Sequence, residues 1–142
     1  MKPVVTFFGS SFLLHLLWEN LQAPLYQGFA SFQQHFWMCL KATAMGDMLF
    51  MLVIYLALAA IHRDWLWITH AAAFRHPATW LIALLIGVLL AVSFELWAVY
   101  FAERWQYAAS MPILPILRIG LTPVLQMIAI PTTVLLLSSR FR

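Results

Sequence analysis

Three carboxylates and a histidine stand where apolar residues would be expected. Glu19, Asp47 and Glu95 each lie inside an apolar run long enough to cross a membrane, and His15 precedes Glu19 by one helical turn. A carboxylate in the middle of a membrane helix costs about 2.5–3.5 kcal/mol on the insertion scale, whereas each Leu, Ile, Val or Phe returns only about 0.3–0.6 kcal/mol. Ionisable residues kept at that cost are candidates for a functional site. A neutral acid in an apolar cavity is a good proton donor. A histidine one turn from a carboxyl can form the hydrogen bond that sets its tautomer and basicity. The chemistry these types suggest is proton transfer, with His15, Glu19, Asp47 and Glu95 as the acid and base groups.

The surrounding residues extend the pattern. At 100° per residue, His15, Glu19, Gln22 and Tyr26 fall within an arc of about 60°, one polar stripe on an otherwise apolar helix, with Trp18 beside it. Further along, Gly87, Ala91, Glu95, Ala98 and Ala102 share a face whose small residues permit close helix approach, so Glu95 is expected to point into a bundle. In the last apolar run Arg118, Thr122 and Gln126 follow one another by single turns, and Pro115, Pro123 and Pro131 interrupt the backbone and free carbonyls to line a cavity. Trp97, Tyr100, Trp105 and Tyr107 read as an aromatic belt, with Trp105 and Tyr107 beside Arg104 placed to cap a pocket mouth. Trp18, Gln22, Tyr26, Trp105, Tyr107, Arg118 and Gln126 are therefore the expected substrate contacts.

Elements able to hold these groups follow from composition. Of 142 residues, 64% are hydrophobic and 9% charged, against roughly 45–50% and 25% in soluble domains, which excludes a soluble globular enzyme. With 15% aromatic residues a disordered chain is excluded too. Spanning takes about 20 apolar residues, and four stretches qualify, at roughly 4–25, 38–61, 79–102 and 112–137. With no period-2 strand pattern, the expectation is one all-α, polytopic four-helix membrane domain over residues 1–142. Lys2, Arg63, Arg75, Arg140 and Arg142 flank one side while the 26–37 connection has no Lys or Arg, so both termini are expected in the cytoplasm. Glu19, Asp47, Glu95 and Arg118 then all fall in the outward half. Residues 62–78 mix aromatic and basic types and read as a short interfacial segment ended by Pro77.

Other classes are weaker. The scattered excess of 8 Lys/Arg over 5 Asp/Glu does not make a nucleic-acid surface, and the single Cys39 makes neither a disulfide nor a Cys metal site. No Glu-x-x-His pair is present and His15 is the one mid-membrane histidine, so no metal and no cofactor are expected. The expected partners are a membrane lipid or hydrophobic small molecule, and a larger membrane complex if the polar set serves only as helix glue.

The string Phe12-Leu13-Leu14-His15-Leu16-Leu17-Trp18-Glu19, followed by an acid in the second helix, resembles the His-x-x-x-Glu first helix of the emopamil-binding (EXPERA) sterol-isomerase superfamily. The likeness covers the first two spans. It implies a proton shuttled by His15, Glu19 and Asp47 in a membrane cavity, alongside what the residues themselves suggest: acid and base groups between Trp and Tyr walls, as an isomerase or cyclase of an isoprenoid or sterol-like lipid needs. The wider string Trp18-Glu19-x-x-Gln22-x-Pro24-Leu25-Tyr26, with Trp105-x-Tyr107 and Met111-Pro112-x-x-Pro115, resembles small bacterial four-span proteins and implies a bacterial cytoplasmic membrane. The alternative is a non-catalytic subunit, assembly factor or lipid-binding module.

Overall fold

The computed structural model describes residues 2–141, so Arg142 of the expected basic tail lies outside the described residues. Four helical stretches are long and apolar enough to cross a membrane: Lys2–Leu25, Phe32–His62, Pro77–Phe101 and Leu121–Arg140. By length and composition this is an integral membrane protein.

The first span is α1 (Lys2–Gln22) with a closing 3-10 turn, Ala23–Leu25. The second joins α2 (Phe32–Ala42) to α3 (Met48–His62) through a wide π turn, Thr43–Asp47. A 3-10 turn, Trp67–Thr69, and the short α4 (Ala71–Arg75) lead to α5 (Pro77–Leu96), which ends in a second π turn, Trp97–Phe101. Two-residue strands β1 (Ile113–Leu114) and β2 (Ile119–Gly120) pair antiparallel before α6 (Leu121–Arg140).

Contacts between spans run in opposite directions along the sequence. Phe7 meets Tyr55 while His15 meets Asp47, and Phe50 meets Phe94 while His62 meets Thr79, so neighbouring helices are antiparallel. The two chain ends lie together, with Lys2, Val5, Thr6 and Phe141 around one hollow.

Burial repeats almost every fourth residue. On α1 it falls on Pro3, Phe7, Ser11, His15 and Gln22, and on α5 on Thr79, Ala83, Gly87, Ala91 and Glu95. The opposite faces expose Leu13, Leu17 and Leu21, and Leu81, Leu85 and Leu89, which suits hydrocarbon and not water. Helix α6 is the central element, packed most extensively against α1 and α5. Gly87 makes the second of these contacts possible, because a Cβ there would lie 2.6 Å from the carbonyl oxygen of Met127.

Three expected boundaries move. The fourth span begins at Leu121 and not near 112, because Pro112 and Pro115 lack the N–H groups a helix needs and residues 113–120 close instead as a hairpin. Arg118, at the end of the hairpin turn with φ of 53°, is consequently outside the helix. The second span begins at Phe32, where the Ser31 hydroxyl caps the helix by accepting from the Gln34 N–H, so Gln33, Gln34 and His35 are helical and not part of a connection. The 63–76 segment is seated on the bundle, with Trp67 and Ile68 buried and the Trp67 indole N–H donating to the Tyr55 carbonyl, while Trp65 and Leu66 remain exposed. Pro77 takes the first position of α5, where its missing N–H costs nothing.

Gly87→Val should force α5 from α6 and cost about 1–3 kcal/mol, lowering the thermal midpoint in detergent. Gly9→Val, whose new Cβ meets nothing within 4 Å, is the control and should leave the midpoint unchanged. Equal midpoints for the two variants would contradict the close contact.

Candidate functional site

The polar stripe on α1 reaches its partners because α6 lies against it. The Trp18 indole N–H donates to Gln22 Oε1 at 3.2 Å. The Gln22 amide nitrogen donates to Glu19 Oε1 at 2.8 Å and to Gln126 Oε1 of α6 at 3.2 Å. Gln126 Nε2 lies 2.8 Å from His15 Nδ1. His15, Gln22 and Gln126 are all buried, so this chain of amides crosses the interior of the bundle.

The second span supplies Asp47, whose Oδ2 lies 3.6 Å from His15 Nδ1, too long for a hydrogen bond but within ion-pair range. The π turn Thr43–Asp47 aims it there. One extra residue in a turn shifts the register of the helix, and such turns recur at functional sites. Buried polar atoms without a close hydrogen bond among the described residues include His15 Nε2, Asp47 Oδ2 and the Trp105 indole nitrogen, and the buried Thr43 hydroxyl has only Asp47 within reach. Such atoms are scarce in folded proteins because each one costs about 1–3 kcal/mol.

Glu95 closes the set from α5. The Tyr107 hydroxyl donates to Glu95 Oε2, tying the loop after the third span to the bundle. That loop also pairs with the end of the first span, through the Tyr26 to Tyr107 bridge and backbone bonds from Gln27 N–H to the Gln106 carbonyl and from Ala108 N–H to the Leu25 carbonyl, both 2.9 Å. Rings of Tyr26, Trp105 and Tyr107 lie edge to edge or tilted, 5.8–6.0 Å apart from Tyr26 outward. Burial pushes the Tyr26 hydroxyl well above the usual phenol range, and Glu95, Glu19, Tyr107 and Asp47 add to the rise, so this ring sits within the field of all three acids. The Tyr107 hydroxyl is raised as well, first by burial and then by its bond to Glu95.

Of the residues expected from sequence, His15, Trp18, Glu19, Gln22, Asp47 and Gln126 converge on one network. Glu95, Tyr26, Trp105 and Tyr107 form its roof. Arg118 does not belong. It is exposed in the hairpin turn, where its carbonyl accepts from Tyr100, and no Lys or Arg among the described residues forms a salt bridge with Glu19, Asp47 or Glu95. The expected hydrogen bond between His15 and Glu19 is also absent, because Gln22 and Gln126 occupy the positions between them. Ala102 lies beyond the π turn and is exposed, so it leaves the small-residue face that Gly87, Ala91, Glu95 and Ala98 share.

No family model, curated protein or solved structure matches this chain.

Thr43 is the residue that sequence reasoning missed. It is fully buried one turn before Asp47, and its spacing from that acid was the available signal. Among the described residues no three His, Cys, Asp or Glu side chains are grouped to hold a metal ion.

The raised tyrosines make stability depend on pH. Above about pH 10 the unfolded chain loses phenolic protons that folded Tyr26 and Tyr107 retain, so stability is fully present below that pH and falls above it. Thermal midpoints from pH 8 to 11.5 should decline in the wild type and decline less in a Tyr26→Phe/Tyr107→Phe variant. Parallel curves would contradict the buried roof.

Proposed function

We propose that this protein is a membrane enzyme that moves a proton on an isoprenoid or sterol-like lipid, isomerising or cyclising at a carbon–carbon double bond. The observation that carries the reading is the juxtaposition of buried His15 and half-buried Asp47, with no close hydrogen bond to Nε2 or Oδ2, beside the buried amides of Gln22 and Gln126. Each role follows from what the atoms can do. Glu19 accepts from Gln22 at Oε1, which leaves Oε2 to carry a proton. That proton adds to one alkene carbon, the π pair forming the new C–H bond and leaving a cation on the neighbouring carbon. Asp47 Oδ2 removes a proton from the adjoining carbon, and that C–H pair becomes the new double bond. One proton moving from Asp47 to Glu19 resets the site. For cyclisation, a second double bond attacks the cation before the proton is removed. The cation needs an electron-rich, dry surrounding, which Tyr26, Trp105 and Tyr107 can supply.

Support from the sequence is the likeness of its first two spans to the EXPERA superfamily. In the same reading Lys2, Arg63, Arg75 and Arg140 place both termini in the cytoplasm of a bacterial cell, the 63–76 segment lies at the inner headgroups, and the acid cluster opens toward the outer face.

A second reading, a non-catalytic subunit or lipid-binding module, is favoured by one observation. The bonds from Gln22 to Gln126 and from Gln126 to His15 join α1 to α6 as polar helix glue would.

Deuterium uptake separates the two. Protein in nanodiscs would be incubated in D2O with squalene, farnesol and geranylgeraniol, and the recovered lipids analysed by mass spectrometry. The wild type should place deuterium on carbon, and Glu19→Gln or Asp47→Asn should lower the rate by about 100-fold or more while still folding. Uptake no greater than in empty nanodiscs would remove the catalytic reading.

A further inference from the structure

The hydrogen-bond network has a direction, and it begins at a residue with no choice. An indole N–H can only donate, so the Gln22 atom facing Trp18 must be the amide oxygen. The Gln22 nitrogen then faces the other way, toward Glu19 Oε1 and Gln126. A donor arriving at Gln126 must meet its oxygen, and the Gln126 nitrogen is thereby turned to His15 Nδ1 at 2.8 Å. An amide nitrogen has only protons to offer, so Nδ1 must accept with its lone pair. In a neutral imidazole the proton then resides on Nε2. Asp47 Oδ2, at 3.6 Å, is too far from Nδ1 to reverse that assignment.

His15 Nε2 is one of the buried atoms without a partner. As an N–H it is a donor, and the side chain is completely buried. The Thr43 hydroxyl is equally buried one turn before Asp47 on the neighbouring span, and Asp47 is the acid within its reach. A hydrocarbon would leave this donor unsatisfied, whereas a hydroxyl oxygen can accept from Nε2–H.

We propose that Trp18, Gln22 and Gln126 act as a relay that fixes His15 as its Nε2–H tautomer, and that this donor binds the hydroxyl group of a lipid alcohol. Trp18, Gln22 and Gln126 are positioning residues in this scheme, and His15 is the group that touches the ligand. The proposal rests on the reading of the cluster as a ligand site and adds to it which lipids are admitted. The alkene chemistry at Glu19 and Asp47 then takes place at a carbon set by where the alcohol is anchored.

The test uses full-length protein in nanodiscs, labelled with 15N-histidine, with the His15 signals identified by their loss in His15→Gln. Wild-type His15 should show a protonated Nε2 and an unprotonated Nδ1. Gln126→Glu, which turns an acceptor toward Nδ1, should move the proton to Nδ1. Trp18→Phe should yield a mixture of the two forms, because the Gln22 amide is then held only by Glu19. A merely structural role for these residues would alter stability without exchanging the protonated nitrogen. The branched C20 alcohol phytanol should shift the Nε2–H signal saturably, and phytane, the same skeleton without oxygen, should leave it unmoved. A proton on Nδ1 in the wild type, an unchanged tautomer in Gln126→Glu, or equal responses to phytanol and phytane would each overturn the proposal. The comparison of phytanol with phytane is made on the wild-type protein. Deuterium transfer to lipid carbon together with an Nδ1–H ground state would sink the relay alone. A phytanol-dependent shift with no deuterium transfer would sink the enzyme reading and leave the relay standing.

Discussion

Inside hydrocarbon a polar side chain can bond only to other parts of the protein, and the architecture of this bundle answers to that constraint. Gln126 is where the constraint is resolved. Its amide takes a donor from Gln22 on α1 and offers one to His15, also on α1, so a single α6 residue satisfies two turns of its neighbour. For that to happen α1 and α6 must pack closely. α6 must also lie tightly against α5, which Gly87 permits by admitting the Met127 carbonyl where a side chain would stand. Small residues and polar residues thus cooperate: the former bring backbones together, and the latter use the short distances.

The two π turns belong to the same economy. One precedes α3 and carries Asp47 at its last position, and the other follows α5 just beyond Glu95. Each changes helix register at the depth where an acid has to meet groups from other elements, and each is followed or preceded by regular helix that keeps the apolar face toward lipid. At the same end of the bundle, the loop carrying Trp105 and Tyr107 is bonded to the backbone at Leu25 and Gln27, so the first span and the third connection hold the roof jointly.

Much of this was legible in the sequence, and the misses have physical causes. Four long apolar runs identify four spans whatever their packing, and the polar stripe of His15, Glu19 and Gln22 follows from helical period alone, whereas Tyr26 leaves the helix in extended backbone to pair with Tyr107. The convergence of Gln22 with Gln126 and of His15 with Asp47 was legible only as a tendency, since it depends on which helices become neighbours. Arg118 misled because its spacing from Thr122 and Gln126 is helical, yet Pro112 and Pro115 remove backbone donors and the chain turns back before the helix can start. The expected bond from His15 to Glu19 failed for a different reason. Their one-turn spacing is right for contact, but amides from α1 and α6 engage both groups, each at 2.8 Å. Neither π turn has a strong signature in residue type, and without it the facing of Asp47 and Thr43 could not be assigned.

If His15 and Asp47 serve a lipid and do not merely knot the helices together, the protein should carry that lipid when it is purified. Purifying the protein in a mild detergent and identifying by mass spectrometry the small molecules released on organic extraction tests it most directly. A stoichiometric isoprenoid or sterol-like lipid bearing a hydroxyl group should be recovered. Recovery of ordinary phospholipid alone would contradict it and leave the polar network as helix glue.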